Sequence, residues 1–134
     1  MNSQKVRVAI NGYGRIGRCF HRQIVGDSAV AVVAINSRAD AEMHAHLLKY
    51  DSIYGKCAAE ISADENSITV DGQKIAVLRG EPGKDFRWSD FDVDIVIEAT
   101  GRLTDYSSAA RHLDAGAQKV LVTAPCNDIR IPTF

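Results

Sequence analysis

The residues of this chain whose spacing suits them to chemistry come early. Gly12, Gly14 and Gly17 stand in "NGYGRIGR" as G-x-G-x-x-G, directly after the apolar run "KVRVAI". Glycines so placed hold a pyrophosphate against bare backbone. The first permits a tight turn, the second leaves no Cβ in the path of the phosphates, and the third lets a helix pack closely on a strand. The free N–H groups and positive end of that helix then attract the anion. A glycine-rich turn that binds nothing is the competing reading, yet glycine inside an element costs roughly 0.5–1 kcal/mol relative to alanine, so three at this spacing require a reason. Two more turns follow apolar runs, Glu98-Ala99-Thr100-Gly101 and Thr123-Ala124-Pro125. If those runs are strands parallel to the first, all three turns lie on one carboxyl edge and line one crevice. Thr100 and Thr123, taken singly, fit ordinary turn and capping chemistry equally well.

A dinucleotide site also needs a partner for the adenosine ribose. In many such sites an acidic residue about 20 positions beyond the glycines accepts hydrogen bonds from that ribose and repels a 2′-phosphate, favouring NAD over NADP. Here Ser37 lies 20 residues after Gly17 and is followed by Arg38. Serine binds a hydroxyl or a phosphate oxygen without repulsion, and Arg38 offers a charge-assisted bond, so NADP is admitted beside NAD. The alternative is structural. Ser37-x-x-Asp40 has the form of a capping box, with Asp in place of Glu or Gln, and would start the second helix with Arg38 in solvent.

The elements that must position these residues alternate. "KVRVAI" (5–10) predicts a strand, and Ile16, Phe20 and Ile24 recur at helical spacing after it. "VAVVAI" (30–35) is apolar throughout, the pattern of a strand covered on both faces, and "DAEMHAHLLKY" (40–50) is rich in helix formers. "SITVDGQKIAVL" (67–78) places two strand-like runs around Asp71-Gly72, a hairpin signal, which predicts an antiparallel insertion. "DIVIEATG" (94–101) is a further buried strand. A helix follows, with Thr104 as N-cap, Tyr106, Ala110 and Leu113 on one face and Gly116 as its stop; "KVLVTAP" (119–125) adds a last strand. The fold class expected is α/β: a doubly wound, mostly parallel sheet of the Rossmann dinucleotide-binding type with an antiparallel hairpin insertion.

Composition narrows the function classes. The 134 residues make one domain with a real core, expected over 1–134. A formal charge of −1, with no long block of either sign, argues against nucleic acid as partner. Cys19, Cys57 and Cys126 are odd in number and widely spaced, which suits reduced thiols in cytosol and neither a disulfide framework nor a metal site. No stretch resembles a signal peptide or approaches the roughly 20 apolar residues of a membrane span, so a soluble cytoplasmic protein without membrane attachment is expected.

With these motifs on the page a family resemblance emerges. "VRVAINGYGRIGR", "HLLKYDSIYG", "DIVIEATGR" and "AGAQKVLVTAP", in that order and at these separations, resemble the N-terminal cofactor domain of phosphorylating glyceraldehyde-3-phosphate dehydrogenase. The resemblance implies that Asn11, Gly12, Gly14, Arg15 and Ile16, with Gly17 in the same loop, hold the pyrophosphate and adenosine side of NAD or NADP. It implies that Thr100 and Gly101 flank the adenine and ribose, and that Thr123 and Ala124 lie towards the nicotinamide. "LRGEPG" (78–83) departs from the family's glutamate-arginine-aspartate-proline segment beside the adenine, which leaves Gly80 as the contact expected there. The relative acting on erythrose 4-phosphate has a similar opening and is the alternative substrate assignment. A homotetramer is implied for the complete enzyme.

The same resemblance marks what these 134 residues lack. In the family the nucleophilic cysteine lies in a Ser-Cys-Thr-Thr-Asn motif beyond the cofactor domain, with the base histidine and the substrate-phosphate residues further on; the motif does not occur here. Oxidation of an aldehyde by this route needs a thiolate to form a hemithioacetal, a base to activate it, and a nicotinamide to take the hydride. Only the last need is met, so this stretch alone is expected to be inactive, with no catalytic residue. The rival nucleophile is Cys126, but it does not occupy the family's motif. Among possible bases, His44 and His46 fall near the adenosine side, and His21 and His112 are expected on helix surfaces. Cys19 and Cys57 are taken as packing residues, and Trp88 as an anchor for the hairpin. A self-standing binding or regulatory module is the alternative class of function.

Overall fold

Strand and helix alternate as the apolar runs predict. The computed structural model describes residues 5–51, 55–56, 59–103 and 105–124. In chain order these form β1 (Val6–Asn11), α1 (Arg15–Ile24), β2 (Val30–Asn36), α2 (Ala41–Lys49), β3 (Tyr50–Asp51), β4 (Gly55–Lys56), β5 (Ile61–Ala63), β6 (Ser67–Val70) and β7 (Gln73–Leu78). A 3-10 turn (Trp88–Phe91) leads to β8 (Ile95–Glu98), α3 (Tyr106–Ala109), α4 (Arg111–Asp114) and β9 (Lys119–Val122). One sheet has the strand order β5-β6-β7-β2-β1-β8-β9, and β3 and β4 form a separate antiparallel ribbon. Among its strands β7, β2, β1, β8 and β9 run parallel, and β5 and β6 are antiparallel at one edge. Asp71 and Gly72 take the two positive φ angles, 48° and 83°, that a two-residue hairpin needs. The hairpin is more than an insertion, because its second strand, β7, serves as the third parallel strand of the sheet.

Both faces of the sheet are covered. On one, Val8, Ile10, Val32, Ile35 and Ile97 pack with Leu48 of α2 and with Phe20 and Ile24 of α1. On the other, Ala9, Val33, Ala34 and Val96 pack with Trp88, Val93 and Ala115. The register of β1 against β2 shifts between Val8 and Ala9, so Val33 is an extra residue in β2 and joins Ala34 on the Trp88 face. Alternate residues of β2 feed the two cores, and the bulge sets two successive ones, Val33 and Ala34, on the same face.

Several expectations are corrected. Ile16 does not share the core stripe; at 56% exposure it stands at the outer side of the first turn of α1. His21, expected at the surface, is buried, where Nδ1 shares a hydrogen bond of 2.5 Å with the Tyr13 hydroxyl. Burial lowers its pKa to about 4. The helix after β8 is broken at Ala110 into two single turns, and its buried side is Ala109 and His112, while Tyr106 and Leu113 are exposed. Its cap is Asp105, whose carboxylate accepts from the Ser108 N–H; Thr104 lies outside the described residues, as do Cys57, Pro125 and Cys126. Gly116 ends it with φ 107°. No described helix is long and apolar enough to cross a membrane.

Candidate functional site

The chain runs outward from β1 through β2 to β7, then restarts on the other side of β1 with β8 and β9, so the topological switch lies between β1 and β8. Open α/β sheets place their ligands outside the carboxyl ends of the strands at such a point. A cleft of about 890 Å³ opens there. Of the residues expected to bind, Asn11, Gly12, Gly14, Ser37, Arg38, Gly80 and Thr100 line it.

The glycine loop has the three properties its motif requires. Gly12 adopts φ +94°, and a Cβ there would lie 2.8 Å from the Thr100 nitrogen. A Cβ at Gly17 would overlap the Gly12 carbonyl oxygen, so this glycine sets how closely α1 meets the loop. A Cβ at Gly14 would meet nothing within 4 Å, because that side of the loop faces the open cleft. Gly14 is also the N-cap of α1 and supplies no side-chain cap, and no acidic residue stands in the first turn. The helices α2 and α3 are treated differently: Asp40 caps α2 by accepting from the Met43 N–H at 2.8 Å, and Asp105 caps α3. The positive end of α1 is thus left for an external anion. Arg15 and Ile16 lie exposed in that first turn.

The Asp40 cap removes one of the two readings of Ser37. Ser37 is not the N-cap of α2, and the capping-box alternative falls. The Ser37 N–H instead donates to the Leu78 carbonyl at 3.1 Å, which joins the ends of β2 and β7 and brings Arg79 beside Ser37 and Arg38. Arg79 lines the cleft and was not anticipated. Gly80 has φ +140°, its carbonyl accepting from Asn36 Nδ2 at 2.9 Å.

Under the cleft runs a buried polar chain that sequence reasoning missed. Glu98, at the end of β8, is 1% exposed. Its Oε1 accepts from Asn11 Nδ2 at 2.6 Å and from His112 Nε2 at 2.8 Å. Its Oε2 accepts from the Thr100 N–H at 2.9 Å and from the Thr100 hydroxyl. Burial pushes this carboxyl up, but the bonds from His112, Thr100 and Asn11 together outweigh it and hold Glu98 below the usual carboxylate range. Asn11 Oδ1 in turn accepts from Asn36 Nδ2 at 2.7 Å. His112, expected at the surface, is fully buried, and its Nδ1 accepts from Trp88 Nε1 at 3.0 Å. Trp88, expected to anchor the hairpin, instead packs under the central strands and joins this chain. One signal was available: an acid closing the apolar strand β8 and an Asn closing each of the apolar strands β1 and β2 are costly unless paired. Gly101 follows Thr100 with φ +75°, and the Thr123 hydroxyl donates to the Glu98 carbonyl at 3.2 Å. Gly101, Thr123 and Ala124 border neighbouring strand ends without lining the cleft.

A seven-stranded doubly wound sheet, a switch-point cleft and an uncapped glycine-loop helix are the parts of a dinucleotide site. The family described as "Glyceraldehyde 3-phosphate dehydrogenase, NAD binding domain" matches residues 6–106. The chain belongs to this family. Glyceraldehyde-3-phosphate dehydrogenase 2 of Synechocystis is 50% identical over 96% of the chain, and the enzyme of the same name from Bacillus subtilis 47% over 90%. The chloroplastic glyceraldehyde-3-phosphate dehydrogenase of Gracilaria gracilis is 48% identical over 98%. The chain spans 39%, 36% and 32% of the length of these relatives, in that order. The stretch of those relatives to which it is similar is thus their NAD-binding domain.

Proposed function

We propose that this domain binds NAD and NADP with comparable affinity and serves a phosphorylating glyceraldehyde-3-phosphate dehydrogenase. The observation that carries the reading is the open N-terminus of α1 beside Gly14, which accepts a pyrophosphate without any side chain moving. Asn11, Gly12, Gly14, Arg15 and Ile16 hold the pyrophosphate and adenosine side, with Gly17 fixing the loop. Thr100, Gly101 and Gly80 stand around the adenine and its ribose, and Thr123 and Ala124 lie towards the nicotinamide. A nicotinamide held there would supply hydride acceptance to the complete protein, which this reading takes to be a homotetramer with its nucleophilic cysteine outside these 134 residues. The 134 residues by themselves are expected to give no reduction of NAD⁺ or NADP⁺ with glyceraldehyde 3-phosphate and phosphate. Turnover abolished by Cys126→Ser would overturn that expectation.

Tolerance of the 2′-phosphate rests on three residues at adjoining strand ends. Ser37 offers a hydroxyl, Arg38 and Arg79 offer guanidinium groups, and of the nearby acids Asp40 is occupied as a helix cap while Glu81, which also lines the cleft, pairs with Arg111 at 3.8 Å. A charge-assisted bond contributes roughly 1.5–3 kcal/mol net in favourable settings. NADP is therefore expected to bind within about tenfold of NAD. Calorimetric titration of wild type, Ser37→Asp, Arg38→Ala and Arg79→Ala with both cofactors tests this. Aspartate should weaken NADP selectively and each alanine should do so more mildly. A wild-type chain that discriminates a hundredfold against NADP, or a Ser37→Asp variant with an unchanged NADP/NAD ratio, rules out the assignment.

A further inference from the structure

We propose that Trp88, His112 and Glu98 are a positioning relay that sets the two cofactor-facing turns from below, a role that rests on the cofactor reading. The donor and acceptor logic leaves one arrangement. An indole N–H can only donate, so His112 Nδ1, 3.0 Å from Trp88 Nε1, must present its lone pair. The imidazole proton then sits on Nε2 and donates to Glu98 Oε1 at 2.8 Å. The contact is a neutral imidazole bonding a carboxylate rather than an ion pair, and Trp88 selects the tautomer that makes it.

Glu98 spends its remaining capacity on the site. Asn11 Nδ2 completes Oε1, while the Thr100 N–H and hydroxyl fill Oε2, so a single carboxylate receives four donors. Asn11 enters the glycine loop from β1 and Thr100 opens the turn after β8, on opposite sides of the switch point. Through Asn11 the chain of bonds continues to Asn36 and the Gly80 carbonyl. A carboxylate with every lone pair engaged has one low-energy orientation, and that orientation fixes the spacing of both turns. Removing the His112 donor leaves Oε1 short of a partner in a buried site, and the carboxylate must tilt towards water through the cleft floor, taking Asn11 and Thr100 with it.

The test pairs a removal with a conservative replacement. Nitrogen-15 NMR of the wild-type chain should show His112 protonated at Nε2 and bare at Nδ1; the opposite tautomer overturns the relay. In NAD titrations His112→Leu should lose about tenfold in affinity, the scale of one hydrogen bond to a charged group, whereas His112→Gln, whose amide reaches the Nε2 position, should recover most of it. Equal losses in the two variants, or none, reduce His112 to packing and overturn the proposal. Trp88→Phe keeps an aromatic ring against Phe86 without the N–H, and should weaken NAD binding. It serves where the leucine variant does not fold, and unchanged affinity in it is equally fatal. A wild-type chain that binds no NAD overturns the cofactor reading and the relay's role together, while binding that ignores all three substitutions overturns the relay alone.

Discussion

A side chain added at Gly14 projects into the open cleft, and one added at Gly17 runs into the Gly12 carbonyl oxygen. The two glycines therefore separate binding from folding. Gly14→Val should abolish NAD binding by calorimetry while its urea midpoint stays near wild type, since the branched side chain occupies only the phosphate's space. Gly17→Ala should instead lower the midpoint, by the roughly 1–3 kcal/mol typical of overpacking, because backbone must shift to admit the methyl. A Gly14→Val variant that binds as wild type would place the pyrophosphate elsewhere. This part of the site was legible in the sequence, because the motif's spacing carries its geometry. Glu98, His112 and Asn36 were not: Asn11 and Glu98 are 87 residues apart, and no local pattern shows that β1 and β8 are neighbours. His112 was misplaced for a related reason. Helical spacing made Tyr106, Ala110 and Leu113 one face, but a break at Ala110 turns His112 inward.

At the scale of elements, capping distinguishes α2, which closes its own N-terminus, from α1, which leaves its own open at the cleft. Asp40 satisfies the Met43 N–H of α2 at 2.8 Å. Asp40→Ala is expected to cost about 1 kcal/mol of stability in urea unfolding, as N-cap losses do. Ser37→Ala should cost little stability, and a loss equal to that of Asp40→Ala would return Ser37 to a capping role. The sequence offered Ser37 and Asp40 as the two ends of one capping box, and only the observed helix start tells that the second is the cap. The strands were more legible than the helices, since β1, β2, β8 and β9 are short apolar runs with clear turn residues behind them. What the runs concealed was the β2 bulge. A strand apolar at every position carries no mark of the residue at which its faces change over, and Val33 is assigned only by its neighbours in space.

For the molecule as a whole, the buried titrating groups make stability fall with acid from an unusually high pH. His21 has its pKa lowered from 6.5 to about 4 by burial, so between those values the unfolded chain binds a proton that the folded chain refuses. Stability is then full above the higher value and declines as pH falls towards the lower, by up to about 3 kcal/mol for this one group. His44 is shifted the same way, by burial and by the nearby charges of Arg18 and Arg79, and adds to the slope. Glu98 acts lower down. Its depressed pKa contributes stability above the ordinary glutamate range, and this is lost as pH falls through the folded value. Urea unfolding across about pH 7 to 4 should show the decline beginning near pH 6, and His21→Asn should flatten it. A flat wild-type profile over that interval would mean that water reaches His21 in the folded state.

Trp88 is the sole tryptophan of the chain, fully buried, with the Phe86 ring edge-on at 4.9 Å and His112 between it and the cleft. Its emission is therefore that of one indole in one apolar site, with a single hydrogen bond to polarise it. The dihydronicotinamide ring absorbs in the band where indole emits, and the oxidised ring does not. A reduced dinucleotide held in the cleft would therefore accept excitation from Trp88 by overlap of the two bands, and an oxidised one would not. The side chain that bonds a buried histidine would then report the redox state of the dinucleotide as a colour of emitted light.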